Sequence, residues 1–360
     1  MELSLKAFDE GQLRIPNYGD IVLQNAWLSK DNKEYKFDRH SVNNVKRFLK
    51  EAFSRYFENI QNGNIKIRKD GRPRSFPRFK ARKHCKNSYS NYHSENIHID
   101  NDNHQIKIPC LGWVKYNPRE KKFSDDWKIK HITISKTLTN KYYCSICFEY
   151  SIDIENIQND TKLNILGIDY SSSSLYVDSE GNKANYPKYY RSNLDKLRIL
   201  QQKFSRQQKG SVNRNKTLNK IRILHEKISS QRKDFLHKLS SSITKKFDVI
   251  CVEDIDMQNM SRGLHLGKST MDNGFGMFRE MLSYKQDRIP YHKLILANKW
   301  FPSSKRCSKC GHVKSELKLS DRIYKCNECG NVIDRDLNAA INLKQYAFNY
   351  INGLNILCRK

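Results

Sequence analysis

The stretch YKCNECGNVIDRDLNAAIN, Tyr324–Asn342, sets two cysteines two residues apart just ahead of two aspartates and an apolar segment of helical periodicity. A second pair lies upstream: Cys307 and Cys310 in CSKCG, then fifteen residues, then Cys326 and Cys329 in CNECG. A C-x2-C turn can aim two sulfurs at one point, and two such turns complete a tetrahedron around zinc. Gly311 and Gly330 follow the two pairs, where a tight turn favours a residue without a side chain. Four protein sulfurs leave no open coordination position, so the spacing predicts a closed, structural Zn2+ site rather than a hydrolytic one.

The acids beside it then need their own explanation. Leu337, Ala340, Ile341, Ala347, Phe348 and Ile351 mark a helix that begins at Asp334 and Asp336, so Asp336 suits a helix N-cap. Two other acids end apolar runs. LNILGIDY (163–170) reads as a strand closing on Asp169, with SSSSLYVDSEGN as a second strand and turn, and KKFDVICVEDI (245–255) reads as a buried strand closing on Glu253 and Asp254. Alone, Asp169 could cap a turn and Glu253 could face solvent. Together, in the order strand-Asp, strand-Glu, helix-Asp, they form the inventory of two-metal phosphodiester hydrolysis, in which a few carboxylates share two Mg2+ ions. Acids at the ends of adjacent central strands of an α/β sheet converge naturally.

The rest of the chain supports a polyanionic partner. Lys and Arg number 66 against 38 Asp and Glu, a formal charge of +28 over 360 residues. Such an excess repels itself unless neutralised, and nucleic acid is the polyanion that suits it. No apolar run reaches the length of a membrane span, so a cytoplasmic protein without a membrane partner is expected. Residues 41–59 carry Val42, Val45, Leu49, Phe53, Tyr56 and Phe57 at helical spacing. KIRKDGRPRSFPRFKARKHCK (66–86) follows, with prolines that exclude a regular helix. Its Arg72, Arg74, Arg78, Lys80, Arg82 and Lys83 suit phosphate contact, and Phe76 and Phe79 suit stacking on bases. Alternation over 95–155 predicts a small β domain. Cys144 and Cys147 fall in one of its strands, three residues apart on opposite faces, and cannot grip one ion. Residues 192–247 predict a basic helical hairpin, interrupted near 209–215, with Ile221, Leu224, Ile228, Phe235, Leu239 and Ile243 as its apolar stripe. A helix over 271–289 and a short strand in KLILANKWFP come before the cysteines.

These pieces, in this order, resemble the TnpB family, transposon-encoded RNA-guided nucleases related to the type V CRISPR effectors. GIDY (167–170), VEDI (252–255) and DRDLNAAIN (334–342) resemble the family's three RuvC motifs, and FPSSKRCSKCG (301–311) with CNECG its zinc ribbon. SSQRKDFLHKLS (229–240) and FPRFKARK (76–83) match further family segments, whereas 1–38 carries no visible resemblance. The resemblance implies an α/β nuclease with an RNase H-like RuvC domain, an inserted zinc ribbon and a helical hairpin, plus an N-terminal β-barrel-like wedge domain with a helical insertion. It implies boundaries at 1–160 for the wedge and recognition region, 161–300 for the nuclease, 301–332 for the ribbon and 333–360 for the final nuclease segment. It assigns Asp169, Glu253 and Asp336 to catalysis and Mg2+, preferring Asp336 to Asp334 because it directly precedes Leu-Asn-Ala-Ala. It implies a guide RNA from the transposon end and a double-stranded DNA target, and leaves the oligomeric state open.

Two other functions stay in view. A transposase acting directly on element ends could share the RNase H-like fold, although a tyrosine-dependent one would need an H-x-H motif that the chain lacks. A catalytically silent RNA-guided regulator would be expected to have lost an acid, and all three are present.

Overall fold

The computed structural model describes residues 39–63, 67, 71, 76–77, 87–117, 123–151, 163–257, 272, 274–289, 292–318 and 320–353. The chain divides into two units, 1–152 and 153–360. Among the described residues no helix is long and apolar enough to cross a membrane.

In the first unit the described residues begin with α1 (Arg39–Gln61), which contains the helix expected at 41–59. Six strands follow among the described residues: β1 (Asn87–Asn91), β2 (His98–Asp100), β3 (Gln105–Ile108), β4 (Gly112–Lys115), β5 (Lys128–Lys136) and β6 (Tyr142–Glu149). They form two antiparallel sheets, β1-β5-β6 and β2-β3-β4. The expected barrel is not closed among the described residues. The two sheets instead share one core, with Ile97, Ile106, Ile108 and Ile132 buried together. Alternating sequence supplies one apolar face per sheet, and burying two such faces against each other satisfies it as well as a closed ladder does. Helix α1 is tied to β1 by the Asn44 amide, which donates to the Ser90 carbonyl at 2.6 Å. Cys144 and Cys147 lie on β6 opposite Ile134 and His131, an odd separation that turns them to opposite faces.

The second unit is built on a four-stranded sheet of β7 (Ile165–Ser171), β8 (Leu175–Asp178), β9 (Val249–Glu253) and β10 (Lys293–Ala297), in the order β10-β9-β7-β8. β7, β9 and β10 are parallel, and β8 is the antiparallel edge. Between β8 and β9 run the short α2 (Tyr189–Ser192), then α3 (Leu194–Arg206) and α4 (Val212–Lys246); α5 (Phe275–Gln286) precedes β10. The hairpin turn between α3 and α4 is closed by local chemistry. Ser211 caps α4 by accepting from the Arg214 amide at 3.2 Å. The Arg214 guanidinium donates to the Phe204 and Gln207 carbonyls at 3.0 and 2.8 Å.

The stripe expected on the second hairpin helix is present. Ile221, Ile228 and Ile243 are buried, and Phe235 and Leu239 pack half-buried on the sheet core around a fully buried Leu236. α4 and α5 cover one face of the sheet through Leu236, Ile243, Phe275, Phe278, Met281 and Leu282. The other face is covered by the last helix, α6 (Arg335–Ile351), through Leu343 and Ala347 against Ile165, Val249 and Cys251. Between β10 and α6 lies a small hairpin, β11 (Ile323–Lys325) and β12 (Val332–Asp334).

Candidate active site and metal centre

Strand periodicity decides where the acids point. Leu166 and Ile168 of β7 enter the core under α4 and α5, while Ile165 faces α6. Side chains alternate along a strand, so Asp169 follows Ile165 and Gly167 onto the α6 face. In β9, Ile250 and Val252 take the first face and Val249 and Cys251 the second, which carries Glu253 to the α6 side as well. Gly167 pairs with Cys251 and Ile168 with Val252. Asp169 and Glu253 are therefore the next neighbours across two parallel strands, at their C-terminal ends.

The helix supplies the third acid. β12 runs into α6 without a loop, and Asp334 is the N-cap: its Oδ1 accepts from the Asp336 and Leu337 amides at 2.9 and 3.0 Å. Capping thus falls to Asp334, not Asp336, and Asp336 sits in the first turn. Burial, and then the Glu253 and Asp336 carboxylates, push Asp169 well above the usual aspartate range, with Arg335 partly opposing them. Burial also raises Glu253, against a hydrogen bond donated by the Ser303 hydroxyl. The Arg335 guanidinium lies 3.5 Å from Asp336 Oδ1 and donates to the Lys318 carbonyl at 3.4 Å. Three converging carboxylates against one guanidinium leave an excess of negative charge, and hard oxygen donors of this kind fit divalent cations such as Mg2+.

The cysteines form the second centre. Their four sulfurs lie within 4.8 Å of one another. Cys307 and Cys329 are 3.7 Å apart, and Cys310 and Cys326 3.5 Å. A tetrahedron with Zn–S near 2.3 Å has S–S edges of about 3.8 Å, so the donor set fits one zinc ion. The two knuckles are built alike. The Cys307 amide donates to the His312 carbonyl and the Cys326 amide to the Asn331 carbonyl, each at 2.8 Å. Gly311 and Gly330 take φ of +79° and +67°, the left-handed region that glycine enters without strain. Burial opposes it, but the Cys310 and Lys309 amides aimed at its sulfur bring the Cys307 thiol down to about 6.

Side chains that the sequence reading passed over join the two centres. Asn338 and Asn342 are fully buried on α6. Asn338 donates to the Arg306 carbonyl at 2.7 Å and accepts from the Ser308 amide at 2.9 Å. Asn342 donates to the Ser303 and Arg306 carbonyls at 2.8 and 2.6 Å. One turn further along, the Tyr346 hydroxyl accepts from the Asn298 amide at 3.3 Å. The chain from β10 to the first knuckle is thus hydrogen-bonded along α6. The available signal was two asparagines four residues apart inside an apolar helix stripe, since a buried amide needs a partner.

Arg72, Arg74, Arg78, Phe79, Lys80, Arg82 and Lys83 lie outside the described residues. Phe76 is described, and it corrects the expectation of base stacking. It is buried against Phe53 and Tyr56 of α1, with ring centroids 5.9 and 5.3 Å away in edge-on contact. An aromatic ring that completes an apolar cluster is not available as a stacking platform.

Two family models match the chain: OrfB_IS605, described as "Probable transposase", over 145–263, and the Cas12f1-like TNB domain over 275–343. A "Putative RNA-guided DNA endonuclease" of Streptomyces pristinaespiralis is 34% identical over 212 residues, 59% of this chain and 51% of that protein. The chain therefore spans about half the length of that relative. The "Putative RNA-guided DNA endonuclease InsQ" of Escherichia coli K12 is 30% identical over 285 residues, 75% of this chain and 68% of that protein. Among solved structures, a Cas12f1–sgRNA–target DNA complex aligns over 95% of this chain and 78% of that one, at 15% identity and a TM-score of 0.48. The first family model spans the strands that carry Asp169 and Glu253, the second spans the cysteines and Asp336, and InsQ is matched over two thirds of its length: the chain belongs to the TnpB family.

Proposed function

We propose that the protein is a transposon-encoded, RNA-guided DNA endonuclease. Its RuvC-type, RNase H-like site would be made by Asp169, Glu253 and Asp336. The observation that carries this reading is the convergence of these acids from two adjacent parallel strands and the first turn of α6, with their charges acting on one another. The three would hold divalent metal, Mg2+ by the chemistry of their oxygens. When bound, such metal supplies water activation and stabilisation of the leaving oxygen in phosphodiester hydrolysis. The chain's own part is to hold the acids: β7 and β9 fix Asp169 and Glu253, and the Asp334 cap fixes the turn that bears Asp336.

The four cysteines would hold a structural zinc. The charge of +28 suits two nucleic-acid partners, a guide RNA from the transposon end and a double-stranded DNA target. Residues 1–160 would form the wedge and recognition region, with Arg72, Arg74, Arg78, Lys80, Arg82 and Lys83 on phosphate and Phe79 on bases. The segments 161–300, 301–332 and 333–360 would form the nuclease, the ribbon and the closing nuclease helix.

The test is cleavage by protein purified with the RNA of its own locus. Plasmids complementary to that RNA should be cut in Mg2+, and mismatched plasmids should survive, because specificity passes to base pairing. Cutting that ignores the RNA sequence, or that occurs only at element ends without RNA, would support a directly acting transposase instead.

A further inference from the structure

The run from β10 to the first cysteine knuckle does more than connect them. Ser303 is 3% exposed, and its hydroxyl donates to Glu253 Oε1. Its backbone is held on both sides: the amide donates to the Phe301 carbonyl at 2.8 Å, and the carbonyl accepts from Asn342 at 2.8 Å. Asn342 is itself fully buried, and its amide nitrogen is shared with the Arg306 carbonyl, one residue before Cys307. Asn342 lies on the helix that carries Asp336 in its first turn.

We propose that Ser303 is a positioning residue for the divalent-metal site. Its hydroxyl holds the Glu253 carboxylate in one rotamer, and α6, through Asn342, holds Ser303. This rests on the reading of Glu253 as a metal ligand. A glutamate has three side-chain torsions to order, more than either aspartate, so of the three acids it needs an external constraint most. Ser303 supplies that constraint on one oxygen, leaving the other oxygen and the remaining lone pairs to a cation. It also gives the site a common reference, because the helix that presents Asp336 sets the partner of Glu253.

Hydrogen bonds to metal-ligating groups are worth about 10–100-fold in metal affinity or activity when removed. The test uses Ser303→Ala, Ser303→Thr and Ser303→Val, with Thr and Val matched in shape and differing in the hydroxyl. Mn2+ binding to the guide-free full chain, read by electron paramagnetic resonance, and the Mg2+ dependence of guided cleavage are measured in parallel. Ser303→Ala and Ser303→Val should weaken Mn2+ binding and raise the Mg2+ requirement by about 10-fold or more. Ser303→Thr should stay near wild type in both. If Thr and Val behave alike, or if Ala leaves both readouts unchanged, Ser303 only fills space and the proposal is overturned. Glu253→Ala separates the two levels. If it abolishes cleavage while Ser303→Ala changes nothing, only the Ser303 inference fails. If Glu253→Ala cuts normally, the reading of Glu253 as a ligand fails, and this inference with it.

Discussion

A methyl group placed on Gly167 would sit 2.0 Å from the carbonyl oxygen of Ala340 and 2.5 Å from the Lys344 amide nitrogen. The central strand and the last helix therefore touch backbone to backbone, and both sides of the contact are written in the motifs. Gly167 stands two residues before Asp169, while Ala339 and Ala340, both buried, follow Asp336 by three and four residues. The small residues set how closely β7, which carries Asp169, approaches α6, which carries Asp336.

Gly167→Ala is expected to force α6 away from β7. Overpacking a tight core contact costs about 1–3 kcal/mol. A clash with backbone, which cannot rotate aside, belongs at the top of that range. Urea unfolding should show the loss, and cleavage should fall further than the remaining folded fraction explains. A variant that unfolds at the wild-type midpoint and cuts normally would contradict the contact.

The two aspartates at the start of α6 should separate by readout. Asp334→Ala removes the cap and should cost about 1 kcal/mol of stability, with cleavage reduced only modestly; Asp334→Asn should restore most of the stability. Asp336→Ala removes a like charge from the acid cluster, so it should leave the melting temperature unchanged or higher while abolishing cleavage. Thermal melts beside a plasmid-nicking assay decide between them, and the reverse pattern would move the catalytic role to Asp334.

That pair shows how far the sequence could be read. Unbroken apolar runs in LNILGIDY and DVICVED carried the strands, because a strand covered on both faces is apolar throughout. Such a run does not tell which face its closing acid takes, and the packing of Ile165, Val249 and Cys251 against α6 decides that. Cysteine spacing carried the ribbon, because two C-x2-C turns can aim four sulfurs at one point. At the helix start, Asp334 and Asp336 both satisfied the rule for a capping residue, and only the observed bonds to the Asp336 and Leu337 amides separate them. Ser303 left no local signal, and the two asparagines in the apolar stripe of α6 signalled only that some partner was needed, because the partners are carbonyls, an amide and a carboxylate 30 to 50 residues away. Phe76 was misread because a phenylalanine among arginines looks the same whether its ring meets a base or Tyr56.

The burial of Asp169, and then the Glu253 and Asp336 carboxylates beside it, predict a pH dependence. Asp169 holds its proton in the fold at pH values where the unfolded chain, near the ordinary value of 3.8, has already released it. Its stabilising contribution is present below that value and is lost as pH rises through the folded pKa. Without added Mg2+, wild-type stability should therefore decline from about pH 4 upward more steeply than that of Asp169→Asn, which cannot titrate. Mg2+ should narrow the gap at neutral pH, since it offsets the repulsion among the carboxylates. Parallel stability curves for the two proteins across this range would remove the electrostatic basis of the site.

Zinc removal should reach the acids through the chain that joins the two centres. The ribbon hairpin consists of strands only three residues long, too short to hold itself without metal. Four thiolates around zinc make the binding energy part of the folding energy. Cys326→Ser should lower the zinc content by elemental analysis and lower the melting temperature. Residues 303–308 run directly from the Glu253 contact to the first knuckle, fixed by Asn338 and Asn342. Loosening the knuckle should therefore also raise the Mg2+ requirement for cutting, even well below the melting temperature. Cys144→Ser, on an exposed face of β6 in the other unit, should change neither zinc nor Mg2+ dependence. If Cys326→Ser loses zinc and stability yet keeps the wild-type Mg2+ response, the ribbon is a separate module and α6 alone positions the site.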